Sequence, residues 1–311
     1  MKAESKYYGL PFKGSKCRYA KELFNLMPHG GRFVDLFCGG GSMTDYAMVH
    51  KLYDSYLAND NNMMITTAYV NALDGRLVPQ DMRFVSKEYF HAHPEDAYAR
   101  LCYSFCCRLQ SYLYGQESEC AMKAAHYVVC YDDFSLIKDI ISGEALSYVK
   151  EHVTAEDFYT RRLQLMTALR ALCSDHVDIG KLYTKSVNHN EIAKHLCYMN
   201  RVLSIAKPYD NLTTSAISYE QYEHQEGDVV YCDPPYAGTD GYWRSGVFDT
   251  DKFWQWVRTR EYPVYVSEFK APDDFVSIWE KRRPNCLSRP TAEREGQQYV
   301  VENLFIHERF L

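Results

Sequence analysis

The chain has 311 residues, 46% of them hydrophobic and 24% charged. That supplies enough apolar content for a core, excludes wholesale disorder, and fits one large domain or one domain with a sizeable insert. A formal net charge of −6 argues against a uniformly basic nucleic-acid binder, so any grip on phosphate has to come from local patches. The amino terminus is polar and no apolar run approaches the ~20 residues of a membrane helix, so neither a signal peptide nor a membrane span is expected. Eleven Cys occur without a CxxC pair, which points to reduced thiols in a cytoplasmic protein and to no metal centre.

Basic side chains crowd the first 32 residues (Lys2, Lys6, Lys13, Lys16, Arg18, Lys21, Arg32), opposed only by Glu4 and Glu22. Tyr19–Met27 reads as a short amphipathic helix stopped by Pro28 and Gly30-Gly31. Phe33–Phe37 reads as a buried strand running into the glycine turn Cys38-Gly39-Gly40-Gly41-Ser42. A helix over Met43–Leu52 and a second strand, Tyr56–Asp60, complete a strand–loop–helix–strand unit, the opening half of a Rossmann-like sheet. The middle of the chain carries helical periodicity and much of the Tyr, with helices expected over Pro94–Leu109 and Thr154–Leu172. An aromatic turn or hairpin is expected at Ser111–Gly115. From Asp228 the α/β pattern returns. Asp228–Cys232 is a buried strand ending in Asp233-Pro234-Pro235-Tyr236, and Phe248–Arg260 is a helix. Tyr262–Ser267 and Tyr299–His307 are strands. A second basic run, Lys281-Arg282-Arg283, reads on its own as a solvated face.

Two places carry chemistry. A strand ending in glycines lets backbone N–H groups approach a ligand closely. The dinucleotide fingerprint would need Gly at position 44, which is Thr44, so the turn suits a nucleoside ligand without a pyrophosphate. Asp60, at the end of the next strand, is where an acid commonly bonds ribose hydroxyls. The second place is Asp233–Tyr236, at a strand's carboxyl end, where α/β sheets bind ligands. Two prolines remove two N–H donors and leave a carboxylate and carbonyls, all acceptors, which suits an amine presenting only N–H groups. Adenine N6 is such an amine, and Tyr236 would stack on a base taken out of the duplex.

Taken together, these segments resemble the Dam-type adenine-N6 DNA methyltransferases, phage-encoded members included. Phe12-Lys13-Gly14-Ser15-Lys16 is similar to the family's N-terminal motif, Phe33–Ser42 to its main cofactor motif, Leu57–Asp60 to its ribose-binding strand, and Gly227–Tyr236 to its catalytic motif. Tyr265–Glu268 and Glu302–Ile306 resemble its closing strands. The resemblance implies an α/β, Rossmann-like S-adenosylmethionine-dependent sheet over 1–65 and 196–311, with a mostly helical DNA-recognition insert at 66–195. It implies catalytic roles for Asp233, Pro234, Pro235 and Tyr236, and cofactor contacts from Phe12, Lys16, Asp35, Phe37, Gly39, Gly41, Asp60 and Asp233. DNA contacts are implied for Arg108, Tyr112, Tyr114, Thr239 and Tyr242, on double-stranded DNA, with any restriction partner undetermined. Ser104–Gly115 departs from the family's GATC-reading hairpin, so the recognition sequence stays open, and Arg108 serves equally as a structural salt-bridge partner. Methyl transfer to RNA adenine or a glutamine amide is the alternative; such relatives commonly carry Asn at the first position of this motif, and Asp233 tilts the choice to DNA adenine. A non-catalytic DNA-binding module is a further one.

Overall fold

The computed structural model describes residues 7–115, 118–141, 143–172, 199–205, 209–236, 248–284 and 299–311. The chain divides into two units, one of Met1–Leu10, Gly14–Asp74 and Lys207–Leu311, the other of Pro11–Lys13 and Gly75–Ala206.

The first unit is built on a seven-stranded sheet. Its strands are β1 (Arg32–Asp35), β2 (Ser55–Asn59), β3 (Leu212–Ser215), β4 (Asp228–Cys232), β5 (Val264–Glu268), β6 (Phe275–Pro284) and β7 (Tyr299–His307). The first five run parallel, while β7 pairs antiparallel with both β5 and β6, giving the order β3-β2-β1-β4-β5-β7-β6. The α/β class expected from the sequence is what the chain forms. Strand order reverses between β1 and β4, and the crevice beyond the carboxyl ends of two such strands is where open α/β sheets take ligands. The glycine turn leaves β1 and Asp233 follows β4, so this topology brings the two sequence signals together.

Alternation along the strands sets which side each residue serves. Val34 and Leu36 of the β1 segment, with Val230 and Cys232 of β4, pack on the side covered by Phe253, Trp254 and Val257. Burying a side chain of this size contributes roughly 1.5–3 kcal/mol. Phe33 faces the other side, against Phe24 and Tyr53 and beside Tyr231. Asp35 shares that parity and meets Thr44. At the opposite end of β1 and β4, Arg32 donates twice to Asp228 at 2.7 Å, a bidentate pair across the register Arg32↔Asp228.

Helices α1 (Ala20–Phe24), α2 (Ser42–Val49) and α3 (Met63–Leu73) belong to this unit. Helix α3 packs against β3, and this unit runs through Asp74. The second unit holds α4 (Lys87–Ala92), α5 (Ala97–Cys102), α6 (Glu119–Tyr131), α7 (Gly143–His152) and α8 (Phe158–Leu172), with α8 packed on α6 and α7. The single helix expected over Pro94–Leu109 is corrected to α5 alone. Asp96 caps it by accepting from Ala99 N at 3.0 Å, and the chain then turns at Cys107 (φ 53°) and Leu109 (φ 64°). Helix α9 (Thr250–Arg258) returns to the first unit, its start capped by Asp249. No described helix is long and apolar enough to cross a membrane.

Candidate active site

The turn after β1 depends on left-handed backbone at Gly39 (φ 48°) and Gly41 (φ 73°), which only glycine adopts without strain. A methyl group on Gly41 would lie 2.6 Å from the buried ring of Tyr69. Gly9, which the sequence reading passed over, backs the turn. Its φ is 68°, a side chain there would stand 2.4 Å from the Gly40 carbonyl, and its N–H donates to Asp45 Oδ2 at 2.8 Å. Asp60 holds the turn from β2, with Oδ2 accepting from Gly39 N at 3.0 Å and Oδ1 from Asn62 N at 2.9 Å. Asn59 ties three strand ends together. Its Nδ2 donates to Leu36 O and Ile217 O, and its Oδ1 accepts from the Ser215 hydroxyl at 2.7 Å.

Asp35 is 1% exposed; its Oδ2 accepts from the Thr44 hydroxyl at 3.0 Å and its Oδ1 has no hydrogen-bond partner among the described residues. Burial pushes its carboxyl up to about 8, against the lowering effect of Thr44 and with help from the charge of Asp233. A buried acceptor with open lone pairs is a docking point for a donor or a cation.

Asp233 forms the centre of the second half. Lys16 donates to both of its oxygens, at 2.8 and 2.7 Å, and also to Gly14 O at 3.1 Å. Lys16 is 5% exposed while the Asp233 side chain retains 18%, so the carboxylate keeps an open approach that the ammonium does not. Burial raises the proton affinity of Asp233, Lys16 lowers it, and the charge of Glu302 raises it again. Lys16 Nζ also lies 4.8 Å from the centre of the Tyr236 ring. The Tyr236 hydroxyl donates to Glu302 Oε2 at 2.7 Å, and Arg283 donates to Glu302 Oε1 at 2.8 and 2.5 Å.

Thus Lys16, Asp35, Gly39, Gly41, Asp60 and the Asp233–Tyr236 turn gather in one unit at the reversal of strand order. Phe37 packs near them among Tyr219, Phe248 and Phe253, with ring centres at 5.6–5.7 Å. Phe12 falls in the second unit and is half-buried. Arg108 is half-buried there as well. Tyr112 and Tyr114 are interior residues of that unit. The Tyr112 hydroxyl donates to Val85 O at 2.7 Å, and Tyr114 stacks on Phe84 with ring centres 6.2 Å apart. Thr239 and Tyr242 lie outside the described residues. Sequence reasoning missed Glu302 and Arg283 as neighbours of Tyr236. Their signal was present in the Lys281-Arg282-Arg283 run and the Glu302–Ile306 strand, but only the β6–β7 pairing brings them together.

A comparison with curated proteins gave no match. Among family models, that of the D12 class N6 adenine-specific DNA methyltransferases matches residues 12–256, a span that takes in the glycine turn, Asp60 and the Asp233–Tyr236 turn. The chain belongs to this family of adenine-specific DNA methyltransferases.

Proposed function

We propose that the chain transfers the methyl group of S-adenosylmethionine to adenine N6 after the base has left the duplex. The observation that carries this reading is Asp233 at the head of the Asp233–Tyr236 turn, bonded through both oxygens to Lys16 and still open to approach.

The residues fit the donor. Asp35 Oδ1, a buried acceptor without a partner among the described residues, suits an ammonium group, and Asp60 keeps lone pairs beyond its two backbone bonds for ribose hydroxyls. Gly39 and Gly41 keep the backbone bare, and Phe37 supplies aromatic surface. When bound, S-adenosylmethionine supplies an electrophilic methyl group on positively charged sulfur. Asp233 accepts one N6–H of the target adenine and the Pro234 carbonyl accepts the other. That draws the nitrogen lone pair out of the ring and toward the donor's methyl carbon; the carbon–sulfur pair would leave with the neutral thioether, and the methylated nitrogen would give up one proton, past Asp233, to solvent. Lys16 keeps the carboxylate charged so that it accepts rather than donates. Holding the amine in a fixed geometry supplies much of the acceleration. Tyr236 receives the ring of the flipped base, which costs a few kcal/mol of unstacking. The unit of Gly75–Ala206 reads the DNA, with Arg108 reaching a base edge or phosphate and Tyr112 and Tyr114 bracing that segment from inside.

The test is tritiated methyl transfer to unmethylated DNA, followed by digestion to nucleosides. Label in N6-methyldeoxyadenosine is expected, and Asp233→Ala is expected to abolish it while leaving donor binding measurable. Label confined to RNA or protein would move the assignment to the alternative substrates. Near-normal turnover by Asp233→Ala would remove the mechanism.

A further inference from the structure

The Tyr236 ring is constrained from three directions within the sheet unit. Its hydroxyl donates to Glu302 at 2.7 Å, Phe269 stands perpendicular to it with ring centres 4.5 Å apart, and Lys16 lies 4.8 Å from its centre. Glu302 is only 3% exposed, and its other oxygen takes two bonds from the Arg283 guanidinium. Arg283 in turn lies 5.8 Å from the ring centre of Phe269, the same ring that abuts Tyr236. Glu302 sits on β7 and Arg283 on β6, where Lys281↔Glu302 and Arg283↔Val300 are register partners. The antiparallel pair that closes the sheet therefore reaches into the catalytic turn after β4. Burying a carboxylate this deeply costs several kcal/mol unless it is paired and fully bonded. A tyrosine in the core needs no such expensive partner, because a carbonyl or water would satisfy its hydroxyl.

We propose that Glu302 and Arg283 are positioning residues, which hold the Tyr236 ring in the orientation that meets the flipped adenine. This rests on the reading that Tyr236 receives the target base. Arg283 has two tasks. It fixes Glu302 in a bidentate fork, and it balances a negative charge that would otherwise face Asp233. Two ion pairs, Lys16–Asp233 and Arg283–Glu302, thus flank Tyr236, and the tyrosine bridges them through its face and its hydroxyl.

The test joins a spectroscopic and a kinetic arm on the full chain. In the first, 3-fluorotyrosine is placed at position 236 and its fluorine resonance is followed with pH. Burial and the neighbouring carboxylates raise the phenol's proton affinity, so the label is expected to titrate well above free fluorotyrosine, and Glu302→Gln is expected to bring it down. In the second arm, kcat/KM for DNA is measured for Tyr236→Phe, Glu302→Gln and the double variant. Each single change is expected to lower it about tenfold, the scale of a lost hydrogen bond to a charged group. The double variant is expected to fall no further than the worse single, because both remove one tether. Arg283→Lys is expected to recover part of the activity that Arg283→Ala loses, charge being kept and the fork lost. An unmoved fluorine titration in Glu302→Gln overturns the tether. Additive kinetic losses, tracking a fall in thermal midpoint, overturn the positioning role and leave a purely structural one. A wild-type chain that binds the donor yet methylates no DNA removes the functional reading instead, and the fluorine titration still decides whether Glu302 holds the ring.

Discussion

At the scale of single residues, the decisive quantity is the charge on Asp233. Burial and the nearby Glu302 favour its protonated form, and Lys16, bonded to both oxygens, opposes them. A protonated Asp233 would offer the target amine a donor where it needs an acceptor. Activity is therefore expected to fall as pH drops through the folded-state value, which burial raises from the ordinary one. Replacing Lys16 by Met removes the cation, so the acid limb of kcat/KM, measured at saturating donor, is expected to move up by about 1–3 pH units. A limb that stays in place would show that Lys16 does not set the charge of Asp233. Asp233–Tyr236 was legible in the sequence because a strand, an acid and two prolines are contiguous and each removes alternatives. Lys16 was legible as a member of the site through the N-terminal motif. Its partner was not, because Lys16 and Asp233 are far apart in sequence and only strand order joins them. The same holds for Glu302 and Arg283, whose run of basic residues looks from sequence like any solvated face.

At the scale of elements, the turn after β1 is the part whose backbone leaves least freedom. Gly41 opens α2 in a left-handed conformation without a capping side chain, and Tyr69 fills the space a methyl group would take. Gly41→Ala is expected to cost about 1–3 kcal/mol through backbone strain and overpacking. It should also weaken donor binding, because relief requires the turn itself to shift. Thermal unfolding and calorimetry check the two effects, and a variant with unchanged midpoint and affinity would rule out this account of the turn. Elements buried on both faces were the ones readable in advance. Asp228–Cys232 forms at the bounds expected, since its unbroken apolar run admits few other registers. Strands β3 and β6 escaped notice for the opposite reason. Leu212–Ser215 has polar, partly exposed residues at a sheet edge, and Phe275–Pro284 hides its pattern behind charges and a register shift at Ser277/Trp279. The expected helix over Pro94–Leu109 stops at Cys102, because Tyr103 leaves the helical conformation and Ser104 pairs with Tyr112, contacts that periodicity cannot register.

At the scale of the whole molecule, the site is assembled at the expense of stability, and pH exposes the cost. Asp35 is pushed up to about 8 in the folded chain from an ordinary 3.8. Below the ordinary value both folded and unfolded chains hold the proton, and the residue costs nothing. Between the two values the unfolded chain ionises while the folded chain does not, so stability falls as pH rises through this window. Asp60 and Asp233, also raised by burial, act in the same direction. Asp228 and Asp274 are paired with arginines and lowered. They contribute stability present above the ordinary carboxylate value and lost only as pH falls below it. The ligand-free chain is therefore expected to lose thermal stability from pH 5 to pH 8, and Asp35→Asn to lose a large part of that slope. A donor carrying an ammonium group would bind the ionised form of Asp35 and drive its proton off. Its affinity should then rise with pH across the same window, with proton release visible as a buffer-dependent heat. An Asp35→Asn chain whose midpoint follows the wild-type slope would show that the pH dependence arises elsewhere. A wild-type chain that binds the donor without releasing a proton would show that Asp35 keeps its own, and that the ammonium is held by another acceptor.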